Sequence, residues 1–265
     1  MTSLSPRQHQ ILAIARQIGT VGVEDLAQRF DVTPQTIRKD LNELCDGRIL
    51  ARTHGGAMLT SGVENVGYEA RRQLAAPEKH VIGRRAASLI PNNCSLFINI
   101  GTTTEEVARA LIRHEGLLVI TNNIHVASIL MPCPKIDVVI AGGNLRRADG
   151  GIVGETAVDF ISQFKVDYAV IGTSAIDDDG AMLDFDLREV RVSQAIVSNA
   201  RNIILVADAM KFTRSAPVRI AHLSQVNVFV TDREPPERIL NLCQQNGVQL
   251  EIARAMTDAA LEATE

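Results

Sequence analysis

The chain has 265 residues, of which 46% are hydrophobic and 22% are charged, a composition typical of globular proteins that bury a full core. Trp is absent and only 3% of residues are aromatic, which argues against stacking surfaces for single-stranded nucleic acid. The net charge of −4 is uneven: residues 1–60 carry seven Lys or Arg against six Asp or Glu, whereas the remainder carries twenty against twenty-five. Any contact with nucleic acid must therefore come from the local placement of charge.

Cysteine usage and the N-terminal segment indicate a protein of the cytoplasm. Four cysteines are scattered without a C-x-x-C pair, the pattern of reduced thiols: Cys45, Cys94, Cys133 and Cys243. The N-terminal segment is polar and amphipathic, and no apolar run reaches membrane-spanning length. No His/Cys cluster has the spacing of a zinc site. We therefore expect a soluble, cytoplasmic protein without a metal or a cofactor.

Residues 1–60 predict a winged helix-turn-helix domain. "SPRQHQILAIARQIG" begins a helix with Ser5 as N-cap and Pro6 behind it, and "GVEDLAQRF" has helical apolar spacing. After the short turn "DV", Thr33 caps a third helix, "TPQTIRKDLNELC", and two helices so tightly joined are typical of a helix-turn-helix. "RILARTHGGAML" then predicts a hairpin that turns at Gly55-Gly56. A helix-turn-helix followed by a hairpin is a winged helix.

The third helix has an apolar face and a polar face. Three residues fall on one side and should pack inward: Ile37, Leu41 and Leu44. The opposite side carries residue types that bind base edges and phosphates: Gln35, Arg38, Lys39 and Asn42. Asp40 lies off this stripe and Glu43 borders it. A solvated face on a small bundle would give the same pattern, so the hairpin that follows is what favours DNA binding. His54, in the hairpin turn, is interpreted as a turn residue or a phosphate contact.

The rest of the chain predicts a second domain of the α/β class. Residues 61–78 lack clear periodicity and are predicted to be a linker, with helix around Tyr68 to Leu74. Over residues 79–253, apolar runs such as "SLFINI" and "NIILVAD" alternate with helical stretches such as "TTEEVARALIRHE". This alternation predicts a mostly parallel sheet covered by helices, followed by a tail at residues 254–265. Ligands of such sheets bind at the carboxyl ends of the strands.

The loop after the first of these strands has the chemistry of an anion site. In "IGTTTEEV", Gly101 permits a tight turn, and Thr102, Thr103 and Thr104 place hydroxyl groups beside the first amides of a helix. A capping box between Thr102 and Glu105 would explain the same residues without a ligand. Both interpretations remain open at this point.

Three further loops also follow predicted strands. "AGGNLRRADGG" offers Arg146 and Arg147 as bidentate partners for phosphate, and Lys211 follows a strand in "VADAMKFTR". "TNN" at residues 121–123 ends another strand with small polar groups. Solvated surface arginines and a solvated lysine are the alternatives. Because the carboxyl ends of parallel strands share one edge of the sheet, the four loops together predict a pocket for an anionic small molecule.

Several enzyme signatures are absent. The chain has no G-x-x-x-x-G-K-[ST] loop, and no G-x-G-x-x-G follows a strand. "GTSAI" has Ile176 where a nucleophile elbow needs Gly, and "DDDG" lacks the spacing of a calcium loop.

The combination of motifs resembles the DeoR family of bacterial repressors. The N-terminal segment matches that family's DNA-binding domain through its "IRKDL" and "HGGA" motifs. The remainder resembles its effector domain, related in fold to ribose-5-phosphate isomerase and glucosamine-6-phosphate deaminase, through "GTT", "TNN", "AGGNLR", "GGIVGE", "GTSAID" and "KF". The resemblance implies an α/β fold with a winged helix and a repressor that binds double-stranded operator DNA. The DNA-binding residues that it implies are Thr33, Gln35, Thr36, Arg38, Lys39, Asn42, Arg52 and His54.

Two segments narrow the resemblance within the family. "DGGIVGETAVDFISQFKVDYAVIG" and "GAMLDFDLREVR" are similar to members that respond to sn-glycerol 3-phosphate. The similarity implies release from the operator by this effector and assembly as a homo-oligomer, a dimer or a tetramer; another sugar or triose phosphate is the alternative effector. The effector-binding residues that it implies are Gly101, Thr102, Thr103, Thr104, Asn123, Arg146, Gly172, Asp184 and Lys211.

The chain departs from the family pattern at two positions near the expected pocket. Asn99 stands where the family usually has Asp, which removes a carboxylate from the pocket floor, and Met210 stands where a small polar residue is common. A sugar-phosphate isomerase or deaminase with an additional domain is the alternative from another class, with Asp177, Asp184 and Glu189 as candidate acids and bases. Because the pocket loops show no evident acid–base set, we predict no catalytic residue and a protein that detects phosphate.

Overall fold

The N-terminal residues form the predicted helices and hairpin. The structure is a computed structural model that describes residues 4–18, 20–46, 50–53, 55–59 and 67–254. Its N-terminal elements are α1 Pro6–Ile18, β1 Thr20–Gly22, α2 Val23–Phe30, α3 Pro34–Asp46, β2 Leu50–Thr53 and β3 Gly56–Leu59. At the start of α1, the Gln8 N–H donates to Ser5 Oγ at 3.2 Å, and the Ser5 N–H donates to Gln8 Oε1 at 2.8 Å. This reciprocal pair caps α1 at the residue that the sequence predicts.

The wing is a three-stranded sheet rather than the predicted two-stranded hairpin. β3 pairs antiparallel with β2 on one side and with β1 on the other. A strand of three residues has too short a pattern to be predicted from alternation. Gly56 allows the extra pairing, because a Cβ at this position would lie 2.0 Å from the carbonyl oxygen of Val21. The winged helix therefore closes by a backbone contact that only glycine tolerates.

A small hydrophobic core joins the three helices to the wing. Its buried members are Ile11, Leu12, Ala15, Val21, Val23, Leu26, Ala27, Ile37, Leu41, Leu44, Leu50 and Ala57. The inward-facing residues of α3 predicted from helical spacing all belong to it, so the opposite side of α3 faces outward.

Two helices connect the winged helix to the sheet of the C-terminal part. They are α4 Tyr68–Gln73 and α5 Ala76–Ser88. The helix predicted around Tyr68 to Leu74 corresponds to α4. Ala75 joins the two helices in a left-handed conformation with φ 53°. Both helices therefore begin within the segment predicted as a linker, of which residues 61–66 lie outside the described residues.

The C-terminal part contains a parallel sheet of seven strands. Its elements follow in the order β4 Ser95–Ile98, α6 Thr102–Leu111, β5 Leu117–Thr121, α7 Ile124–Leu130, β6 Ile136–Ile140, β7 Asn144–Arg146, β8 Gly151–Val153, α8 Glu155–Ile161, β9 Val166–Ile171, β10 Ala175–Ile176, β11 Ala181–Asp184, α9 Leu187–Ser198, β12 Ala200–Val206, β13 Val218–His222, β14 Val228–Thr231, α10 Glu237–Gln245 and β15 Gln249–Ile252. The strand order is β15-β14-β12-β9-β4-β5-β6, and each neighbouring pair is parallel. The predicted fold class, a winged helix plus a mostly parallel α/β domain, is confirmed.

The order of the strands places a switch point between β4 and β9. The chain builds the sheet outward from β4 through β5 to β6, and then outward in the other direction from β9 to β15. In such sheets the crevice for a ligand lies at the carboxyl ends of the two central strands. Two small sheets, β7-β8 and β10-β11-β13, were not predicted from the sequence. Their strands have only two to five residues, which is too short for a recognisable alternation of apolar and polar residues.

Among the described residues, no helix has the length and apolar character needed to cross a membrane.

Candidate functional site

The outward face of α3 carries the polar side chains predicted to contact DNA. Ile37, Leu41 and Leu44 are fully buried beneath the helix. The exposed side chains on the opposite face are Gln35, Arg38, Lys39 and Asn42. Thr33 precedes the helix and accepts a hydrogen bond on Oγ1 from the Thr36 N–H at 3.3 Å. Five of the eight predicted DNA-binding residues therefore lie on α3, and Thr33 directly precedes it.

Contacts from the wing and from α1 fix the position of α3. Arg52 on β2 donates from Nη2 to the carbonyl oxygen of Arg38 at 3.4 Å, so this wing arginine lies against the exposed face. On another side of the helix, Arg7 Nε donates to Asp40 Oδ2 at 2.5 Å, and Asp40 is buried. His54 lies outside the described residues. Asp40 therefore anchors α3 to α1 instead of facing the same side as Arg38.

The loops that follow the central strands meet at the switch point of the sheet. Gly172 directly follows β9, and a Cβ at this position would lie 4.0 Å from the carbonyl oxygens of Ile100 and Val206. The same Cβ would lie 3.7 Å from Cγ2 of Thr104. The carboxyl ends of β4, β9 and β12 therefore surround one point, as expected for the ligand crevice of this fold.

The loop between β4 and α6 does not form the capping box, so no side chain of the described residues caps the first backbone amides of the helix. Gly101 is the N-cap of α6. Glu105 instead accepts hydrogen bonds from Tyr68 Oη at 3.0 Å and from Asn123 Nδ2 at 3.4 Å. Residues 102–104 are buried, with 0–8% of their surface exposed. Uncapped amides at a helix N-terminus are suited to bind an anion.

Four basic side chains come together beside this loop. Burial lowers the pKa of Lys211 to about 7; the Asp208 carboxylate opposes this shift, and the charges of Arg214, Lys79 and Arg71 add to it. Burial likewise lowers the pKa of Lys79 to about 8, and it lowers the pKa of Arg214. Lys211 is thus influenced by three cations and one carboxylate. We name Lys79, Lys211, Arg214 and Arg71 the cation cluster.

Hydrogen bonds tie the cation cluster to the start of α6 and to α4. Lys79 is 3% exposed, and its Nζ donates to the carbonyl oxygens of Arg71 and Leu74, the latter at 2.6 Å. Thr102 Oγ1 lies 3.5 Å from the Arg71 carbonyl oxygen. A cavity of about 410 Å³ reaches Lys79 and Thr102 from the surface. A small molecule in this cavity would therefore lie beside Lys79, the one member of the cation cluster that lines it.

Arg146 does not project freely toward an anion but lies among carboxylates. Its Nε and Nη2 donate to the two oxygens of Asp149 at 2.8 and 2.7 Å, Nη1 donates to Asp186 at 3.0 Å, and Nη2 donates to Glu189 at 2.5 Å. Although burial favours neutral Arg146, the hydrogen bonds to Asp149 and the charge of Glu189 raise its pKa. Burial and the nearby Asp184 raise the pKa of Glu189 well above its usual range. Carboxylates therefore form a second group of charges at this edge of the sheet.

Asn99 and Asn123, two of the asparagines in the strand-end loops, are held by hydrogen bonds within the protein. Asn99 donates from Nδ2 to Ser193 Oγ at 2.8 Å and accepts on Oδ1 from the Ile100 N–H at 2.7 Å. Asn123 accepts on Oδ1 from the His125 N–H at 2.9 Å and caps α7. Asn99 is 2% exposed and hydrogen-bonds to α9. The departure from the family pattern at this position therefore replaces a charge by a neutral, satisfied amide.

Of the three acids considered for catalysis, two lie close to each other. Asp184 is buried and accepts from Ser174 Oγ at 3.0 Å, and its charge acts on Glu189. Asp177 is exposed and lies in a turn closed by the Gly180 N–H at 2.9 Å. Asp177 is therefore on the surface, whereas Asp184 and Glu189 lie in the crevice.

Three members of the cation cluster were not predicted from the sequence. Arg71 lies in the predicted linker, and Lys79 lies in α5, the helix before β4, so neither follows a strand end. Arg214 stands three residues after Lys211, within the same strand-end loop. The position of Arg214 in the same loop as Lys211 was the one feature of the sequence that could have predicted a member of the cluster.

Comparison with known proteins places both parts of the chain in one family. A family model for the DeoR-like helix-turn-helix domain matches residues 7–62, and one for the DeoR C terminal sensor domain matches residues 75–233. The chain is 44% identical over 246 residues to the glycerol-3-phosphate regulon repressor of Escherichia coli (strain K12), covering 93% of this chain and 98% of that protein. It is 46% identical to the repressor of the same name from Haemophilus influenzae, with 93% and 96% covered. It is 39% identical to the HTH-type transcriptional repressor CsqR of E. coli (strain K12), with 96% and 97% covered.

Two solved structures are similar to this chain at low sequence identity. The translation initiation factor eIF-2B of Pyrococcus horikoshii OT3 superposes with a TM-score of 0.50 at 15% identity, covering 85% of this chain and 95% of that one. Ribose 5-phosphate isomerase A from Neisseria gonorrhoeae has a TM-score of 0.38 at 13% identity, covering 51% of this chain and 53% of that one. Because both domain models and relatives along nearly the whole chain agree, the chain belongs to the DeoR family of helix-turn-helix transcriptional regulators.

Proposed function

We propose that this chain represses genes of glycerol and glycerol 3-phosphate metabolism and that sn-glycerol 3-phosphate releases it from its operator. The identity of 44% and 46% to two glycerol-3-phosphate regulon repressors supports the choice of regulon. The main support for a phosphorylated effector is the cation cluster beside the uncapped start of α6. Charged donors and helix amides at one place are the usual ligands of a phosphate group.

In this proposal α3 enters the major groove of double-stranded operator DNA. Arg38 and the amide side chains of Gln35 and Asn42 would pair with base edges, whereas Lys39 and Arg52 would contact phosphates. Thr33, Thr36 and His54 complete the proposed interface near the ends of the helix and wing. A dimer or a tetramer would present two α3 helices one helical turn apart, or a multiple of it.

The proposed effector site has one part for the phosphate and another for hydroxyl groups. The amides after Gly101, the hydroxyls of Thr102 and Thr103 and the Lys211 ammonium would bind the phosphate. Thr104 would shape the loop instead, because its Oγ1 donates to the carbonyl oxygens of Asn99 and Gly101 at 2.7 and 2.8 Å. The carboxylate of Asp184 can accept hydrogen bonds from the hydroxyl groups of glycerol. Gly172 leaves space between the strand ends, and Asn123 and Arg146 would hold the surrounding loops. Effector binding then favours a different arrangement of the subunits and lowers operator affinity through coupling of the two sites.

A gel shift on the gene's own upstream region, titrated with phosphorylated metabolites, tests this function. We expect sn-glycerol 3-phosphate to release the DNA. Glycerol should leave the complex intact, because it carries no charge that the cation cluster could bind. Release by a different triose or sugar phosphate would keep the repressor and replace the effector. An absence of any complex with the upstream DNA would contradict the proposed repressor function.

We also propose that the chain senses the phosphate without converting it. Asp184 and Glu189 resemble an acid–base pair in position, but Glu189 is paired with Arg146 at 2.5 Å. Incubation of the purified protein with sugar phosphates, followed by analysis of the products, tests this point. Turnover well above that of a Glu189→Gln variant would favour a catalytic role.

A further inference from the structure

Helix α4 lies outside both regions matched by the family models, which end at residue 62 and begin at residue 75, yet it contacts both parts of the chain. It packs against α1 of the winged helix and against α6 of the sensor domain. Tyr68, at its start, donates to Glu105 and stacks on the ring of His125 with 4.8 Å between the ring centroids. The segment predicted as a linker is therefore built into the edge of the sheet where the crevice lies.

The carboxyl end of α4 is held by groups of the proposed effector site. Lys79 donates to the carbonyl oxygens of Arg71 and Leu74, and Thr102 Oγ1 approaches the same Arg71 carbonyl at 3.5 Å. A phosphate that attracts Lys79 or Thr102 would withdraw these hydrogen bonds from α4. Occupancy of the site is thereby linked to the position of the helix.

The guanidinium group of Arg71 has unused hydrogen-bonding capacity. Its Nη2 donates to Asp149 Oδ2 at 3.1 Å, while its Nε is buried and has no hydrogen-bond partner among the described residues. Asp149 does not depend on Arg71, because Arg146 donates to both of its oxygens. An N–H group buried without a partner is costly, and a ligand oxygen would satisfy it.

We propose that Arg71 is a phosphate ligand that exchanges partners, pairing with Asp149 when the site is empty and with a phosphate monoester when the effector is bound. Its Nε–H and one Nη–H can donate side by side to two phosphate oxygens, as guanidinium groups commonly do. After the exchange, Asp149 keeps its bidentate pair with Arg146. Because Arg71 lies on α4, the exchange moves the helix that packs against α1, and this contact carries the signal to the DNA-binding domain. The identity of the effector rests on the proposed function, whereas the phosphate chemistry does not.

The exchange predicts opposite effects when the two partners of the pair are changed. Arg71→Ala should weaken the binding of sn-glycerol 3-phosphate to the full chain about 10- to 100-fold, because charge-assisted hydrogen bonds are lost. Asp149→Asn should tighten binding about 2- to 5-fold, because Arg71 no longer has to leave an ion pair. Arg85→Ala is the matched control: it removes the arginine of the 2.7 Å ion pair with Glu251, elsewhere in the same domain, and should leave the affinity unchanged.

Two probes separate this inference from the proposed function. Calorimetry measures sn-glycerol 3-phosphate binding to the DNA-free protein, and the shift of the thermal unfolding midpoint measures binding of inorganic phosphate. If phosphate stabilises the wild type and not Arg71→Ala, while sn-glycerol 3-phosphate fails to release the operator, Arg71 is a phosphate ligand and the proposed effector is wrong. A wild type that binds neither probe would overturn both proposals.

If Arg71→Ala and Asp149→Asn weaken effector binding equally, the exchange is wrong, because the ion pair would then only stabilise the structure of the site. An Arg71→Ala affinity within about twofold of the wild type for both probes would also overturn it. If Arg71→Ala does not fold, Arg71→Lys provides the second test. Lysine keeps the positive charge but lacks the two parallel N–H donors of the guanidinium group, so this variant should still lose affinity for both probes. Wild-type affinity would show that the paired donors are not needed.

Discussion

Effector affinity is expected to fall as the pH rises above about 7, because Lys211 must be protonated to pair with a phosphate. Burial lowers the pKa of Lys211 to about 7, and three neighbouring cations act in the same direction. A bound phosphate places negative charge beside the ammonium group and therefore raises its pKa. Binding must then take up a proton wherever Lys211 of the free protein is neutral.

The size of the effect follows from the fraction of charged Lys211 in the free protein. With a pKa of about 7, only about 1% of these side chains are charged at about pH 9, so the affinity should be about 100-fold lower there than where Lys211 is charged. Lys79, with a pKa of about 8, should steepen the fall at higher pH. Below about pH 6 the affinity should decrease again, because the phosphate loses its second charge. The maximum is therefore expected between about pH 6 and 7.

Calorimetry of sn-glycerol 3-phosphate binding, repeated in buffers with different ionisation enthalpies, measures the affinity and the protons taken up. At about pH 8 the wild type should take up close to one proton or more per effector bound. Lys211→Met should bind more weakly and lose most of this uptake. Lys135→Met is the control, because the Lys135 side chain is 61% exposed and pairs with Glu115 on the surface. A wild-type affinity that stays constant between about pH 7 and 9, or an unchanged proton uptake in Lys211→Met, would show that Lys211 does not pair with the phosphate.

Three further predictions test the DNA interface, the wing and the domain boundary. Arg38→Ala should weaken operator binding by about 1–3 kcal/mol if the side chain contacts a base. Lys39→Ala should reduce the slope of the logarithm of operator affinity against the logarithm of salt concentration by about one. Unchanged operator affinity in the double variant would refute the role of α3 as the DNA-reading helix. Gly56→Ala should destabilise the winged helix by about 3 kcal/mol or more, since its Cβ would lie 2.0 Å from a carbonyl oxygen of β1, and a wild-type unfolding midpoint for that domain would contradict this. A fragment of residues 67–254 should bind sn-glycerol 3-phosphate at least about tenfold more tightly than one of residues 79–254, which lacks α4; equal affinities would place the whole effector site after residue 78.

The regular elements could be predicted because each carries its own local pattern. The spacing of Ile37, Leu41 and Leu44 defines the inner face of α3, and the structure buries all three completely. The alternation of apolar runs and helical stretches likewise defines the parallel sheet. From the sheet, the rule that ligands bind at the carboxyl ends of strands predicts where Gly101 and Lys211 should come together.

The surroundings of the site could not be predicted in the same way, because they come from contacts between distant segments. Arg146 looks like a free anion ligand in its loop, but Asp186 and Glu189 come from about forty residues further along the chain to pair with it. Asp149 lies 78 positions from its partner Arg71. No local pattern contains such pairs, and a short helix in a polar segment has the sequence of a linker.

The cation cluster accounts for both the preference for a phosphate and the involvement of α4. Burial lowers the pKa of Lys211, and the charges of Arg214, Lys79 and Arg71 add to this shift against the Asp208 carboxylate, so the charged form is disfavoured while the site is empty. A phosphate dianion supplies negative charge that offsets the repulsion among these cations and attracts each of them. Because Arg71, one of the four cations, belongs to α4, part of that gain in free energy acts on a helix that also contacts α1. A neutral polyol such as glycerol could fill the same space and would exert no such force, so a signal carried by Arg71 depends on the charge of the effector.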